Sequence, residues 1–89
     1  MPIRHVDFSR TFHKRLRKLP KEVKDALNRR MEIFLNNPHH PLLRNHELTG
    51  NLQGKRSINI TGDWRAVYCE KEPGVVVFEF IGTHSMLYK

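Results

Sequence analysis

Arg56-Ser57-Ile58-Asn59-Ile60-Thr61-Gly62-Asp63-Trp64-Arg65-Ala66-Val67-Tyr68 is the stretch that decides the fold, because the register of its hairpin fixes which side chains share a core. Two runs of alternating hydrophobicity, residues 56–61 and 64–70, flank Gly62-Asp63, a turn signal between strands. A two-residue loop at Gly62-Asp63 would send Ile58 and Ile60 to one face and Trp64 and Tyr68 to the other. A three-residue loop, Thr61-Gly62-Asp63, gathers all four with Ala66 on one face. A slip of one residue turns a whole apolar set toward water, so the longer loop is expected. Ser57, Asn59, Arg65 and Val67 then share an open, polar face.

Downstream, Pro73-Gly74 is a second turn and residues 75–81 a third strand, giving an antiparallel meander. Strict alternation puts Phe78 and Phe80 in the core and points Glu79 outward. Upstream, residues 38–54 lose all periodicity and read as a long loop. Before it, Val23, Leu27, Met31 and Phe34 recur at helical spacing up to Asn36, where Asn37-Pro38 stops the helix. Phe8, Phe12, Leu16 and Leu19 mark an earlier helix, capped by Asp7 or Ser9 and ended by Pro20. Its other face is basic: Arg10, Lys14, Arg17 and Lys18. The short link makes the pair a helical hairpin, and Ile3, Val6 and Phe8 mark a first strand over residues 3–8. The expected class is α+β, in the order β-α-α-β-β-β. It is one domain over residues 1–89, an antiparallel sheet with the N-terminal helical hairpin packed on one face.

Sixteen lysines and arginines stand against nine acidic residues, a net charge of +7 in 89 residues. That field favours a polyanionic partner: nucleic acid, an anionic membrane or an acidic protein. One cysteine, Cys69, forms no internal disulfide and reads as a small core filler. The N-terminal residues carry no apolar signal region and no stretch has the length of a membrane span, so a cytoplasmic location is expected.

Chemistry-bearing residues gather in the long loop and the C-terminal half: Arg44, His46, Lys55, Arg56, Asp63, Arg65 and His84. His84 follows the last strand across Gly82-Thr83, where its imidazole can lean over the open face and donate a proton near neutral pH. Spacing alone favours a terminal surface histidine, since six histidines are scattered through the chain. Arg65 is either a phosphate ligand or an ion-pair partner of Glu79 or Asp63. Asp63 is first of all a turn residue. His39, His40, His46 and His84 lack the spacing and the companion cysteines or carboxylates of a metal motif, so neither metal nor other cofactor is expected. Trp64 belongs to the core face, whereas Tyr88 can stack on a nucleobase.

In three segments the chain resembles the RelE/ParE toxin superfamily, closest to its YafQ-type branch. They are His46-Glu47-Leu48-Thr49-Gly50, Gly62-Asp63-Trp64-Arg65-Ala66-Val67-Tyr68 and Ile81-Gly82-Thr83-His84-Ser85-Met86-Leu87-Tyr88. The resemblance implies a RelE-like fold and a ribosome-dependent, metal-independent endoribonuclease that cuts mRNA and touches ribosomal RNA. It also implies a cognate acidic antitoxin as the inhibiting partner. Carried over residue by residue, it makes His84 the general acid and places Asp63 and His46 in catalysis. Arg65 becomes a stabiliser of phosphate charge. Arg56 belongs to the same basic site, and the expected RNA contacts are Arg44, Lys55, Arg56 and Tyr88. Two positions depart from the branch: Asn59 stands where a second histidine is usual, and Phe80 where an arginine is usual. Asn59 takes no proton at neutral pH, so the base falls to His46 or Asp63. The missing cation must come from Arg65 or Arg56. A relative of the same fold but a different class, a ParE-like poison of DNA gyrase without nuclease activity, is the alternative; a catalytically dead binding module is a third.

Overall fold

The computed structural model describes residues 3–87. Its elements are β1 (His5–Phe8), α1 (Arg10–Arg17), α2 (Lys21–Asn36), β2 (His46–Glu47), β3 (Arg56–Asn59), β4 (Trp64–Glu72), β5 (Val75–Thr83) and α3 (His84–Leu87), with single 3-10 turns at Pro41–Leu43 and Gly50–Leu52. The strands form one sheet in the order β1-β5-β4-β3-β2. The α+β class and the helical hairpin on one face are as the sequence indicates.

The β3–β4 hairpin has the three-residue loop: Asn59 pairs with Arg65, Ile58 with Ala66 and Ser57 with Val67. Ile58, Ile60 and Ala66 are completely or almost completely buried. On the helix side they meet Phe12, Val23, Ala26, Leu27 and Phe34. Ser9 rather than Asp7 caps α1, its hydroxyl accepting from the Phe12 amide at 3.1 Å. Phe12, Phe34 and Phe78 are each fully buried, and Phe78 touches the rings of Phe8, Phe12, Phe34 and Tyr68 at centroid distances of 5.9, 6.0, 5.2 and 5.2 Å.

Four sequence expectations are corrected. The sheet is not wholly antiparallel: β1 pairs in parallel with β5, His5 opposite Val75 through Phe8 opposite Phe78. Alternation reports which face a residue occupies, not which way its neighbour runs, so strand direction was not readable. The loop over 38–54 contains β2, which pairs with β3; two residues show no periodicity. Cys69 is half-exposed and is no core filler. Phe80 leaves the core. Tyr68 pairs with Phe78 and Val67 with Phe80, so Glu79 is a bulge residue with no opposite number. One extra residue inverts the alternation beyond it. Val76, Phe78 and Ile81 face the helices fully buried, and Phe80 lies with Val67 on the opposite face.

That opposite face is only partly open. Ser57, Val67 and Leu48 are buried there, at 0, 2 and 4% exposure. The segment from Leu48 to Lys55 folds back on itself, the Leu48 amide donating to the Lys55 carbonyl at 2.9 Å. A groove of about 320 Å³ remains, with Leu52, Val67, Phe80 and Leu87 in its walls.

The free side of β5 is closed by α1 rather than by a strand. Beyond Phe78, where β1 ends, the Ser9 hydroxyl donates to the Glu79 carbonyl at 3.0 Å. The Arg15 guanidinium, six residues further along, donates from Nε to the Ile81 carbonyl at 2.7 Å.

Candidate active site at the C-terminal end of the last strand

β4 and β5 come level at one end of the sheet, Trp64 opposite Thr83 and Arg65 opposite Gly82. The chain then turns into α3, and the His84 amide donates to the Asp63 carbonyl at 2.9 Å. Two residues twenty-one positions apart are thereby locked together by backbone. Both are solvent-exposed.

Arg65 is held at the same end. Its Nη1 donates to the carbonyls of Thr61, Gly62 and Trp64, each at 3.2 Å. It therefore braces the hairpin loop and is no ion-pair partner of Asp63 or Glu79. Glu79 is taken by Lys55, whose ammonium pairs with it across the face. The hydrogen bond to Glu79, opposed by partial burial, holds the Lys55 pKa above its ordinary value. Lys55 is thus a cation already half-neutralised.

His46 enters the face from the far edge. It pairs with Ser57, Ser57 with Val67, and Val67 with Phe80, so three strand spacings, roughly 14 Å, separate its backbone from β5. His84 follows Phe80 by four residues, so the two histidines are offset along the strands as well as across them. The His46 Nδ1 lies 2.9 Å from the Arg44 carbonyl. A carbonyl only accepts, so Nδ1 donates, and the neutral ring keeps its lone pair on Nε2. Arg44 makes this possible through a left-handed backbone, φ +47°, uncommon outside glycine. Asn59 lies beside Arg65 on the same face.

Arg56 is not in this site. It pairs with Tyr68, on the helix side, where Nε donates to Asn45 Oδ1 at 2.7 Å and Nη1 to Glu47 at 3.4 Å. Asn45 passes the contact on to the Tyr68 hydroxyl at 2.7 Å, and burial pushes that phenol's pKa up. Arg56 anchors the long loop to the sheet; the expectation of an RNA contact is withdrawn because strand parity turns it away. Tyr88 lies outside the described residues. Among the described residues no three His, Cys, Asp or Glu side chains are grouped to hold a metal ion, and no helix is long and apolar enough to cross a membrane.

Sequence reasoning missed Arg15. It lies among the basic residues of α1, yet its guanidinium carbon sits 4.1 Å from the centre of the Phe80 ring. The signal was its spacing: three residues after Phe12 and four before Leu19, Arg15 falls on the apolar stripe of α1, whereas Lys14 and Arg17 lie on the exposed face.

The sequence profile described as "Bacterial toxin of type II toxin-antitoxin system, YafQ" matches residues 4–89. The chain belongs to the YafQ toxin family. Compared with curated proteins, its sequence matches none. Among solved structures, this YafQ-family chain is similar to YafQ from E. coli strain BL21(DE3), with a TM-score of 0.78 at 25% identity over 94% of this chain and 97% of that one. The E. coli DinJ-YafQ toxin-antitoxin complex gives a TM-score of 0.76 at 24% identity, with both chains covered completely. A YoeB/ParE toxin from Agrobacterium tumefaciens shares the fold, with a TM-score of 0.75 at 16% identity over 91% of this chain and 99% of that one.

Proposed function

We propose that this YafQ-family toxin is a metal-independent endoribonuclease that cuts mRNA on the ribosome in the cytoplasm. In this reading a cognate acidic antitoxin holds it inactive. The observation that carries the nuclease assignment is the end of β5, where His84, Asp63 and Arg65 meet on the face that His46 approaches from the other side. In-line cleavage needs a base at the ribose 2′-oxygen and an acid at the leaving 5′-oxygen, on opposite sides of the phosphorus. Asp63 is tied to the His84 side, so His46 takes the base role. Its Nε2 accepts the 2′-hydroxyl proton as that oxygen bonds to phosphorus. His84 gives a proton to the 5′-oxygen as the P–O bond breaks, leaving a 2′,3′-cyclic phosphate and a 5′-hydroxyl. Arg65 stabilises the charge that builds on the phosphoryl oxygens, and Arg44 and Lys55 lie along the RNA. The excess of seven positive charges and the E. coli DinJ-YafQ complex support an acidic antitoxin as partner.

The test is induction of the toxin in cells followed by mapping of mRNA 5′ ends. Cuts in phase with codons are expected. Intact mRNA with damaged DNA would favour gyrase poisoning and overturn the nuclease reading.

Arg65 supplies a sharper test. A lysine keeps the charge but cannot both brace the loop carbonyls and hold two phosphoryl oxygens through a planar fork. Arg65→Lys is expected to raise the transition state by about 2–4 kcal/mol, in line with loss of an oxyanion donor. Single-turnover cleavage of mRNA on programmed ribosomes measures this. A wild-type rate would show that positive field alone suffices.

A further inference from the structure

Beyond the face that carries His84, a second groove opens on the other side of the β5 edge. It has a volume of about 430 Å³, with Lys14, Arg15 and Lys18 of α1 on one wall and Trp64 and Met86 on the other. Trp64 follows Asp63 directly and Met86 is two residues after His84, so the groove starts where the candidate site ends.

Arg15 stands between the two. Its Nε is fixed by the Ile81 carbonyl, its Nη2 lies 3.2 Å from the Met86 sulfur, and the flat of its guanidinium rests on Phe80. The arrangement depends on Gly82, opposite Arg65. A Cβ at Gly82 would come within 2.7 Å of the Phe80 ring and 3.0 Å of the Met86 sulfur. One face of the cation is thus pinned by an aromatic ring and a main-chain acceptor, which lowers the entropy lost when its remaining donors are engaged. Of the two cations expected to substitute for the arginine absent at position 80, Arg56 points to the helix side and Arg65 spends its Nη1 on its own loop carbonyls, which leaves room for a second cation beside it.

We propose that Arg15 is a phosphate-binding residue and that the groove it opens holds the nucleotide flanking the scissile bond. The flanking base stacks on Trp64, and Lys14 and Lys18 follow the backbone. A cationic wall facing a half-buried indole is the combination that grips single-stranded nucleic acid without reading its sequence. The proposal rests on RNA being the substrate. It adds a cation from the helical hairpin to a site otherwise built on the sheet.

The test is equilibrium binding of a short 2′-O-methyl RNA oligonucleotide, which the protein cannot cleave, at a series of salt concentrations. Arg15→Gln keeps a side-chain donor for the Ile81 carbonyl and removes the charge. It is expected to weaken binding roughly tenfold and to flatten the log–log salt dependence by about 0.7, the value of one single-strand phosphate contact. A purely structural Arg15 would not move that slope. On the wild-type protein, the same oligonucleotide carrying 5-iodouridine is expected to photocrosslink to Trp64 or Met86. This measurement stands even if Arg15→Gln fails to fold. An unchanged salt slope in a folded Arg15→Gln, crosslinks confined to residues outside the groove, or an absence of binding by the wild type would each overturn the proposal. So would a groove protected only by an acidic peptide. Cleavage on programmed ribosomes is scored separately, so failure of the groove and failure of the nuclease reading are distinguishable.

Discussion

His84→Ala is expected to abolish growth arrest and to slow single-turnover cleavage by roughly 10²–10⁴-fold, the usual contribution of a positioned general acid. The fold should survive, because the backbone amide at this position still donates to the Asp63 carbonyl when the side chain is alanine. Its exposure means that the loss of the ring opens no cavity. Circular dichroism melts and cleavage assays on the same preparation separate the two effects. A folded His84→Ala protein that still arrests cells at full strength would remove this residue from the chemistry.

Phe78→Ala is expected to be the most damaging single change to the fold. Phe78 is fully buried and its ring joins residues from β1, α1, α2 and β4, so no one neighbour can relax into the space. Phenylalanine-to-alanine changes in cores cost about 3–5 kcal/mol, a large share of the roughly 5–15 kcal/mol that stabilises a whole domain. For a chain of this size the midpoint of thermal unfolding should fall by on the order of 20 °C. Phe80→Ala, two residues along the same strand, should cost less than half as much, because the bulge has turned Phe80 onto the other face. Equal losses for the two would mean that strict alternation holds and the bulge is absent.

The pair also marks the boundary of what the sequence discloses. The hairpin loop was legible because Ile58, Ile60, Trp64 and Tyr68 form one apolar set that only one register brings together. The bulge was not, since Val75 to Ile81 alternates equally well with or without an unpaired Glu79. Its trace was Ile81, an apolar residue out of step with Phe78. Arg56 was misplaced through reliance on charge, although its own strand parity, odd against Ser57, already placed it with Ile58. His84 and Asp63 were recognisable as candidates, but their joining depends on a backbone bond that no side chain announces. Arg15 reaches the site from a different layer of the fold, through a ring contact that its place on the apolar stripe of α1 does not encode.

The strap of α1 along β5 also governs association between copies. The long strands, β4 and β5, lie inside the sheet, and its two borders are strands of four and two residues, a short template for another chain. The stretch of β5 beyond Phe78 would otherwise offer unpaired carbonyls, and Ser9 and Arg15 occupy those of Glu79 and Ile81. That stretch continues Val75-Val76-Val77-Phe78, a β-prone run without a charge. Fraying of the first helix therefore bares a bonding border at Glu79 and Ile81, directly beside a β-prone run that β1 still covers, a place where edge-to-edge pairing can start.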